Sequence, residues 1–264
     1  MLSYNFCKHS LLKTAVVSLI GWIGLIGLFN TSPSYAAVEN GGFETGDFTG
    51  WQTLGRTFTE TADYGTGPPE GNYQARLDTI CPAQVNNSCK LDGNFEELRE
   101  FLNLEDISVL EKLINDQEIF EGSAIKTTFS VNAGDVLSFD WNFLTEEVTH
   151  PRKTSVYNDF AFFSLSATAD KLADTFSTLA ESLTSFKNET GFRTYRYTFN
   201  TAGTYSLGVG VVDVGDGAIE SGLLVDNFVI SRPSTAVSVP EPASALGLVS
   251  LGVFGIGWRL LRQQ

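Results

Sequence analysis

Apolar and polar residues alternate along much of the middle of the chain. Phe139, Trp141 and Phe143 fall on one side of this alternation, with Asp140 and Asn142 on the other. A period of two is typical of a β-strand that buries one face. The pattern predicts that Trp141 lies in the core. It also predicts further strands at 73–79, 123–131, 159–167, 192–200, 204–213 and 222–231.

Short strands bounded by Gly, Asn and Asp predict a mainly β protein, an antiparallel two-sheet β-sandwich over residues 37–231. The turn at Ala202-Gly203 lies between two of these strands. It predicts that 192–200 and 204–213 form a hairpin.

One segment has helical spacing instead. Leu98, Phe101 and Leu102 recur at helical intervals, as do Leu110 and Ile114. This spacing predicts a helical insertion at about 94–118, with two short amphipathic helices that cap one edge or end of the sandwich. A weaker helical pattern covers 174–186.

The first 36 residues have the order of a secretory signal. Lys8 and Lys13 precede an apolar run over 15–29, and small residues occupy Ser34 and Ala36. This order predicts a signal helix, export by Sec-type machinery and cleavage before Ala37. A retained membrane anchor is the alternative.

The C-terminal segment is apolar and short. A linker at 232–238 leads to Val239, Pro240, Glu241 and Pro242, and residues 243–258 are uncharged. At 1.5 Å per residue this stretch spans about 24 Å, less than the roughly 30 Å of a bilayer core. A membrane helix over 243–261 therefore needs Leu260 and Leu261 as well.

Arg259 and Arg262 follow that stretch and are expected to stay in the cytoplasm. The Val-Pro-Glu-Pro motif, the apolar helix and the terminal arginines together resemble the PEP-CTERM sorting tail, here 239–264. The resemblance implies recognition by an exosortase, processing near Pro240–Pro242 and a Gram-negative-type envelope. The protein would then pass transiently through the inner membrane to the cell surface or the extracellular space. A permanent tail anchor is the alternative.

The charge balance is acidic. The chain has 17 Lys and Arg against 31 Asp and Glu, a net charge of −14. A surface of this sign repels phosphate backbones, which argues against nucleic acid as a partner. Cys81 and Cys89 are the even pair of the exported part, and their short spacing predicts a disulfide. A metal site would need further ligands there.

Both ends of the sandwich resemble galactose-binding-like jelly-roll domains, which include carbohydrate-binding modules. The resemblance rests on Asn40 to Glu44, Asp47 to Trp51 and Val225 to Asn227. It implies a jelly-roll-like fold and a structural calcium ion held by Glu44 and Asp226, with nearby backbone carbonyls. The alternative is that both carboxylates only cap turns.

Four residues are candidates for ligand binding. Glu146 and Glu147 follow a predicted strand, and with Asp159 they are expected to meet at one rim of the sandwich, where they would bind a cation or sugar hydroxyls. Tyr64 lies in a Gly- and Pro-rich loop, where an exposed ring would stack on a sugar. The alternatives are a solvated loop and an ordinary loop tyrosine.

Catalytic motifs are sparse. His150 is the one histidine after the signal segment, and no Gly-x-Ser-x-Gly elbow or phosphate-binding fingerprint occurs. The sequence therefore predicts a non-enzymatic, surface-directed protein that binds extracellular polysaccharide or matrix. The alternatives are a structural envelope or biofilm component without a ligand, and a glycoside hydrolase that uses two of the many carboxylates.

Overall fold

The computed structural model describes residues 37–79, 95–147, 157–215 and 219–232. The predicted signal peptide, the Cys81 and Cys89 pair, His150 and the sorting tail lie outside these residues. Within the described ranges, no helix is long and apolar enough to cross a bilayer.

Twelve strands and two α-helices form the described part of the chain. The strands are β1 (Gln52–Leu54), β2 (Arg56–Glu60), β3 (Gln74–Asp78), β4 (Ile119–Val131), β5 (Val136–Thr145), β6 (Phe160–Leu165), β7 (Thr168–Asp174), β8 (Ala180–Glu181), β9 (Asn188–Glu189), β10 (Arg193–Thr198), β11 (Gly203–Val214) and β12 (Ser221–Ser231). The helices are α1 (Phe95–Leu102) and α2 (Ser108–Glu111), and short 3₁₀ turns occupy Ala62–Tyr64 and Lys112–Ile114.

The strands form two sheets in which all pairs are antiparallel. Sheet A has five strands in the order β1-β4-β11-β6-β7. Sheet B has seven, in the order β2-β3-β12-β5-β9-β8, with β10 also paired to β5. The predicted mainly β, two-sheet sandwich is confirmed.

The inner faces of the two sheets bury an aromatic core. The Phe139 ring in sheet B lies 4.7 Å from the Phe228 ring and 5.7 Å from the Phe163 ring in sheet A, measured between centroids. Trp141 is buried in the same cluster, as its alternation predicts. Stacked and edge-to-face rings contribute beyond the apolar area that they bury.

The predicted hairpin of 192–200 with 204–213 is wrong. β10 pairs with β5 in sheet B, whereas β11 pairs with β4 and β6 in sheet A. The connection crosses from one sheet to the other because Phe199 is buried between them, 6.0 Å from Phe129 and 4.8 Å from Tyr205. Burial of this ring replaces the local pairing that the turn residues favour.

Helices occur in the predicted insertion, but they do not cap an edge or an end. Leu98, Leu102 and Leu110 pack on the outer face of sheet A, against Phe162 and Val212. Strands β6 and β11 carry apolar residues on both faces there, so the outer face needs a cover as well as the inner one. The insertion is a third layer.

The weaker helical prediction over 174–186 is also wrong. Strand β7 ends at Asp174, whose Oδ1 accepts hydrogen bonds from the Phe176 amide at 3.1 Å and the Ser177 hydroxyl at 3.2 Å. Local bonds of this kind compete with a helix. The segment turns and then forms the short strand β8.

Two substitutions in α1 test the packing of the helical layer. Leu98 is 0% exposed, whereas Phe95 is 41% exposed. We expect Leu98→Ala to lower the free energy of unfolding by about 2–5 kcal/mol, and Phe95→Ala by less than about 1 kcal/mol. Urea unfolding measures both. Equal losses would show that α1 does not pack through Leu98.

Candidate functional site

The outer face of sheet B is charged where β2, β3 and β12 lie side by side. Arg56 pairs with Asp78 across β2 and β3, and Phe58 pairs with Arg76. Ala75 and Leu77 of β3 belong to the core. The side chains that alternate with them along the strand, those of Arg76 and Asp78, therefore face outward. Strand periodicity therefore gathers both arginines, Asp78 and an aromatic ring on one surface.

Guanidinium groups and rings stack on this surface. The Arg76 Cζ atom lies 4.4 Å from the centre of the Phe58 ring and 4.5 Å from that of Tyr64. Arg56 Cζ lies 5.5 Å from the Phe58 ring. Such contacts hold the planar groups in place. Phe58 remains 36% exposed, so it presents a fixed ring to solvent.

Ion pairs hold both arginines. Arg56 Nη1 lies 3.1 Å from Glu220 Oε1, and Arg76 Nη1 lies 2.9 Å from Glu60 Oε1. Asp78 Oδ2 lies between them, 3.7 Å from Arg56 Nη2 and 3.4 Å from Arg76 Nε. We call this surface the Phe58 face; it consists of Arg56, Phe58, Glu60, Arg76, Asp78 and Glu220.

Asp78 is the buried centre of the Phe58 face. Removal from water raises the pKa of its carboxyl group to about 6, although the neighbouring arginines act in the opposite direction. Among the described residues its Oδ1 atom has no hydrogen-bond partner. Burial of the ionised Asp78 carboxylate therefore lowers the stability of the folded state.

A loop that carries Tyr64 borders the Phe58 face. Thr66 Oγ1 donates to Glu189 Oε2 at 2.9 Å, and Gln74 Nε2 donates to the Thr66 carbonyl. The Tyr64 ring packs on a cluster formed by Leu144, Phe186 and Leu224. Tyr64 is thus half-buried against the sheet, where it supports Arg76.

Glu44 and Asp226 lie close together, as the resemblance implies. A Cβ atom placed on Gly42 would lie 3.7 Å from Asp226 Oδ1, 3.7 Å from Glu44 Cγ and 3.3 Å from Glu70 Oε2. The turn of Asn40 to Glu44 therefore brings two predicted ligands and a third carboxylate, Glu70, into one neighbourhood.

The two predicted ligands differ in electrostatics. Glu44 accepts hydrogen bonds from the amides of Tyr73 and Asn72, which lower the pKa of its carboxyl group. Asp226 is 0% exposed, and desolvation followed by repulsion from Glu70 and Glu44 raises its pKa to about 7. Amides of Asn227 and Glu70 donate to it.

Both predicted ligands are of the type that binds a calcium ion. Carboxylates are the hard oxygen ligands that Ca²⁺ prefers, and a cation would relieve the buried charge of Asp226. The described residues nevertheless hold no group of three His, Cys, Asp or Glu side chains arranged around a metal position. Any further ligands would have to be backbone carbonyls or water.

Asp159 does not lie at an open rim with Glu146 and Glu147. It is buried, where it accepts hydrogen bonds from the Val214 amide at 3.0 Å and the Ser221 hydroxyl at 2.6 Å. Glu146 follows β5, and its amide donates to the Glu220 carbonyl at 2.9 Å. Glu146 thus lies next to the Phe58 face, while Asp159 joins strand ends inside the sandwich.

None of the six residues of the Phe58 face is among the candidate ligands that the sequence predicts, although Arg76 and Asp78 lie in the predicted strand 73–79. β2 is Arg-Thr-Phe-Thr-Glu, whose inward positions are both threonine. It lacks the apolar alternation of a strand, so the sequence gives no reason to place it beside β3. Alternation of charged and aromatic residues with threonine is the signal that would have found it.

The raised pKa of Asp78 predicts a pH-dependent stability. Its folded pKa of about 6 exceeds the 3.8 of a free Asp, so its contribution is full below about pH 4 and is lost as the pH rises through 6. Asn mimics the protonated form. From pH 4 to pH 7 we expect Asp78→Asn to gain on the order of 3 kcal/mol relative to the unsubstituted chain.

Urea unfolding across this pH range measures the difference. Leu98→Ala is the control, because it removes no titratable group and its effect should not vary with pH. A pH-independent difference for Asp78→Asn would contradict the prediction.

Known proteins are similar to the C-terminal tail and to the β-sandwich. Residues 238–263 match the PEP-CTERM protein-sorting motif, and no curated protein matches the chain. One similar structure is TmCBM61 in complex with β-1,4-galactotriose, with 14% identity, a TM-score of 0.39, and coverage of 76% of this chain and 100% of that one. Another is CBM28, a carbohydrate-binding module specific for non-crystalline cellulose, with 12% identity, a TM-score of 0.34, and coverage of 75% and 96%.

The K1 cleaved adhesin domain of Lys-gingipain from Porphyromonas gingivalis W83 is also similar. It has 10% identity and a TM-score of 0.39, with coverage of 73% of this chain and 96% of that one. The predicted resemblance of the tail is confirmed: the chain carries a PEP-CTERM protein-sorting motif at its C-terminus.

Proposed function

We propose that this exported protein is sorted by an exosortase and binds extracellular polysaccharide, without catalysis, at the Phe58 face. The observation that carries the proposal is the exposed Phe58 ring, which is fixed by two guanidinium groups on a sheet surface. Pyranose rings have apolar C–H faces that pack on flat aromatic rings, and their hydroxyl groups need donors and acceptors around the ring. Glu60 and Glu220 supply acceptors there.

Substitution of Phe58 tests this function. Loss of the ring removes the stacking surface, so Phe58→Ala should weaken binding to the host's own extracellular polysaccharide at least about tenfold, or 1.4 kcal/mol. Affinity electrophoresis in gels that contain the polysaccharide measures it. The matched control is Phe120→Ala, since Phe120 is 49% exposed on sheet A.

The control should bind as the unsubstituted chain does. Binding that survives Phe58→Ala would place the site elsewhere. If the unsubstituted chain binds no polysaccharide at all, the second candidate function applies, a structural envelope or biofilm component without a ligand.

We also propose that calcium stabilises the sandwich through Glu44 and Asp226. The support is the close approach of the Asp226 carboxylate and the Glu44 side chain to Gly42, together with the burial of Asp226. A bound cation would supply the positive charge that these groups lack among their described contacts. It would tie the first turn to the last strand, β12.

Chelation tests the calcium proposal. A ligand that binds only the folded state at one hundred times its dissociation constant adds about 2.7 kcal/mol. Adding a chelator should therefore lower the melting temperature of the unsubstituted chain and leave a Glu44→Gln, Asp226→Asn double variant unaffected. Calcium binding by calorimetry is the second measurement. An unchanged melting curve for the unsubstituted chain would remove the assignment.

We propose finally that the tail is a sorting handle that is cut near Pro240–Pro242. Its uncharged stretch spans only about 24 Å, and it contains Gly247, Gly252, Gly255 and Gly257. A marginal anchor suits a segment that holds the protein at the inner membrane only until cleavage. The protein would then reach the surface of a Gram-negative-type envelope.

A triple substitution separates sorting from anchoring. Pro240→Ala, Glu241→Ala and Pro242→Ala together leave the apolar stretch intact, so membrane insertion should survive while recognition by a motif-reading enzyme is lost. In its own host, the unsubstituted protein should lack the tail by intact mass, and the variant should keep residues 243–264 in the inner membrane. A full-length unsubstituted protein at the surface would make the tail an ordinary anchor.

A further inference from the structure

The arginines of the Phe58 face decide which class of polysaccharide it takes. Arginine next to an exposed ring is suited to acidic sugars, because its planar fork binds a carboxylate or sulfate through two hydrogen bonds. An acidic polymer would therefore be the first expectation for this surface. That expectation requires arginine donors that are free to bind the ligand.

Both arginines are already held by carboxylates. Arg56 lies against Glu220 at 3.1 Å, and Arg76 against Glu60 at 2.9 Å. An acidic sugar that bound either guanidinium group would have to displace its glutamate or share the group with it. Either way, two negative charges would lie side by side, which is unfavourable.

The net negative charge of the surface also disfavours an acidic ligand. The Phe58 face holds two guanidinium and three carboxylate groups, a local charge of −1. The chain as a whole carries −14. Within about 8–10 Å, the range over which charges act at physiological salt, an anionic polymer meets net repulsion.

Uncharged sugars meet the opposite conditions. Their hydroxyl groups donate hydrogen bonds, and carboxylate oxygens are strong acceptors. Both ion pairs are made through Oε1, and we assign the Oε2 atoms of Glu60 and Glu220 to sugar hydroxyls. Phe58 packs on the apolar face of the ring between these two acceptors.

We propose that the Phe58 face takes an uncharged polysaccharide and rejects acidic ones. This inference rests on the proposed polysaccharide binding and adds the class of ligand. In this arrangement the arginines orient Glu60 and Glu220 and support the Phe58 ring. The arginines do not bind a charged group of the ligand.

Pairs of polymers that differ only in charge test the inference. The probes are hydroxyethyl cellulose with carboxymethyl cellulose, dextran with dextran sulfate, carboxyl-reduced pectin with polygalacturonate, and the host's extracellular polysaccharide before and after carboxyl reduction. Affinity electrophoresis of the full exported chain at physiological salt measures retardation by each. For each pair that retards the chain, we expect the uncharged member to bind at least about tenfold more tightly.

Two conservative substitutions distinguish binding of an uncharged ligand from binding of an acidic one. Glu60→Gln and Glu220→Gln remove a carboxylate acceptor, so they should weaken binding of an uncharged polymer about tenfold, or 1.4 kcal/mol. For an acidic ligand the same changes would release an arginine and strengthen binding. Glu100→Gln, on the exposed side of α1, is the matched control and should change nothing. Thermal unfolding confirms that each variant is folded.

The outcomes separate this inference from the proposed function. Retardation by no polymer, including the host's own, overturns the function itself. Preference for the acidic member of a pair, or tighter binding by either Gln variant, overturns the inference and leaves polysaccharide binding in place. Preference for the uncharged member, together with weaker binding by the Gln variants and by Phe58→Ala, supports it.

Discussion

Contact between the aromatic rings of the two sheets holds the sandwich together. Phe139 lies between Phe228 of its own sheet and Phe163 of the opposite one, and Tyr195 packs against both Phe139 and Phe163. Because these rings fill the space between the sheets, each strand has its inner positions fixed. The alternation of the chain then determines what every outer face presents.

The outer faces of the two sheets differ in what they cover and what they expose. Sheet A is apolar on its outer side, at positions such as Phe162 and Val212, and the helical insertion covers it. The outer side of sheet B is apolar at Leu144 and Leu224, where Tyr64 and Phe186 cover it, and charged where Arg56 and Arg76 hold Asp78. A covered face contributes to stability, whereas a charged face with an exposed ring is available to a ligand. The asymmetry places the candidate site on sheet B.

The parts of the fold that the sequence predicts are those with local periodicity. Trp141 and its neighbours alternate cleanly, and the helical spacing of Leu98 and Leu102 is equally clear. Pairing between distant strands is different. Phe199 draws β10 and β11 into separate sheets, and nothing in the turn at Ala202-Gly203 reveals a ring that is buried across the core.

The site is predictable only in part. The resemblance to jelly-roll domains, and not local periodicity, places Glu44 near Asp226, and the structure brings the first turn and β12 together there. The Phe58 face depends on the register between β2 and β3, and β2 has threonine at its inward positions. Its residues become neighbours only through that register.

The position of β12 has a mechanical consequence. This strand lies inside sheet B, bonded to β3 on one side and β5 on the other, and it ends at Ser231, where the linker to the sorting tail begins. Arg232 Nε forms an ion pair with Asp135 Oδ1 at 2.9 Å. A pull on the tail along the strand axis therefore loads in shear the backbone hydrogen bonds that β12 makes to both neighbours. While the tail is held, the domain resists tension through its central strand.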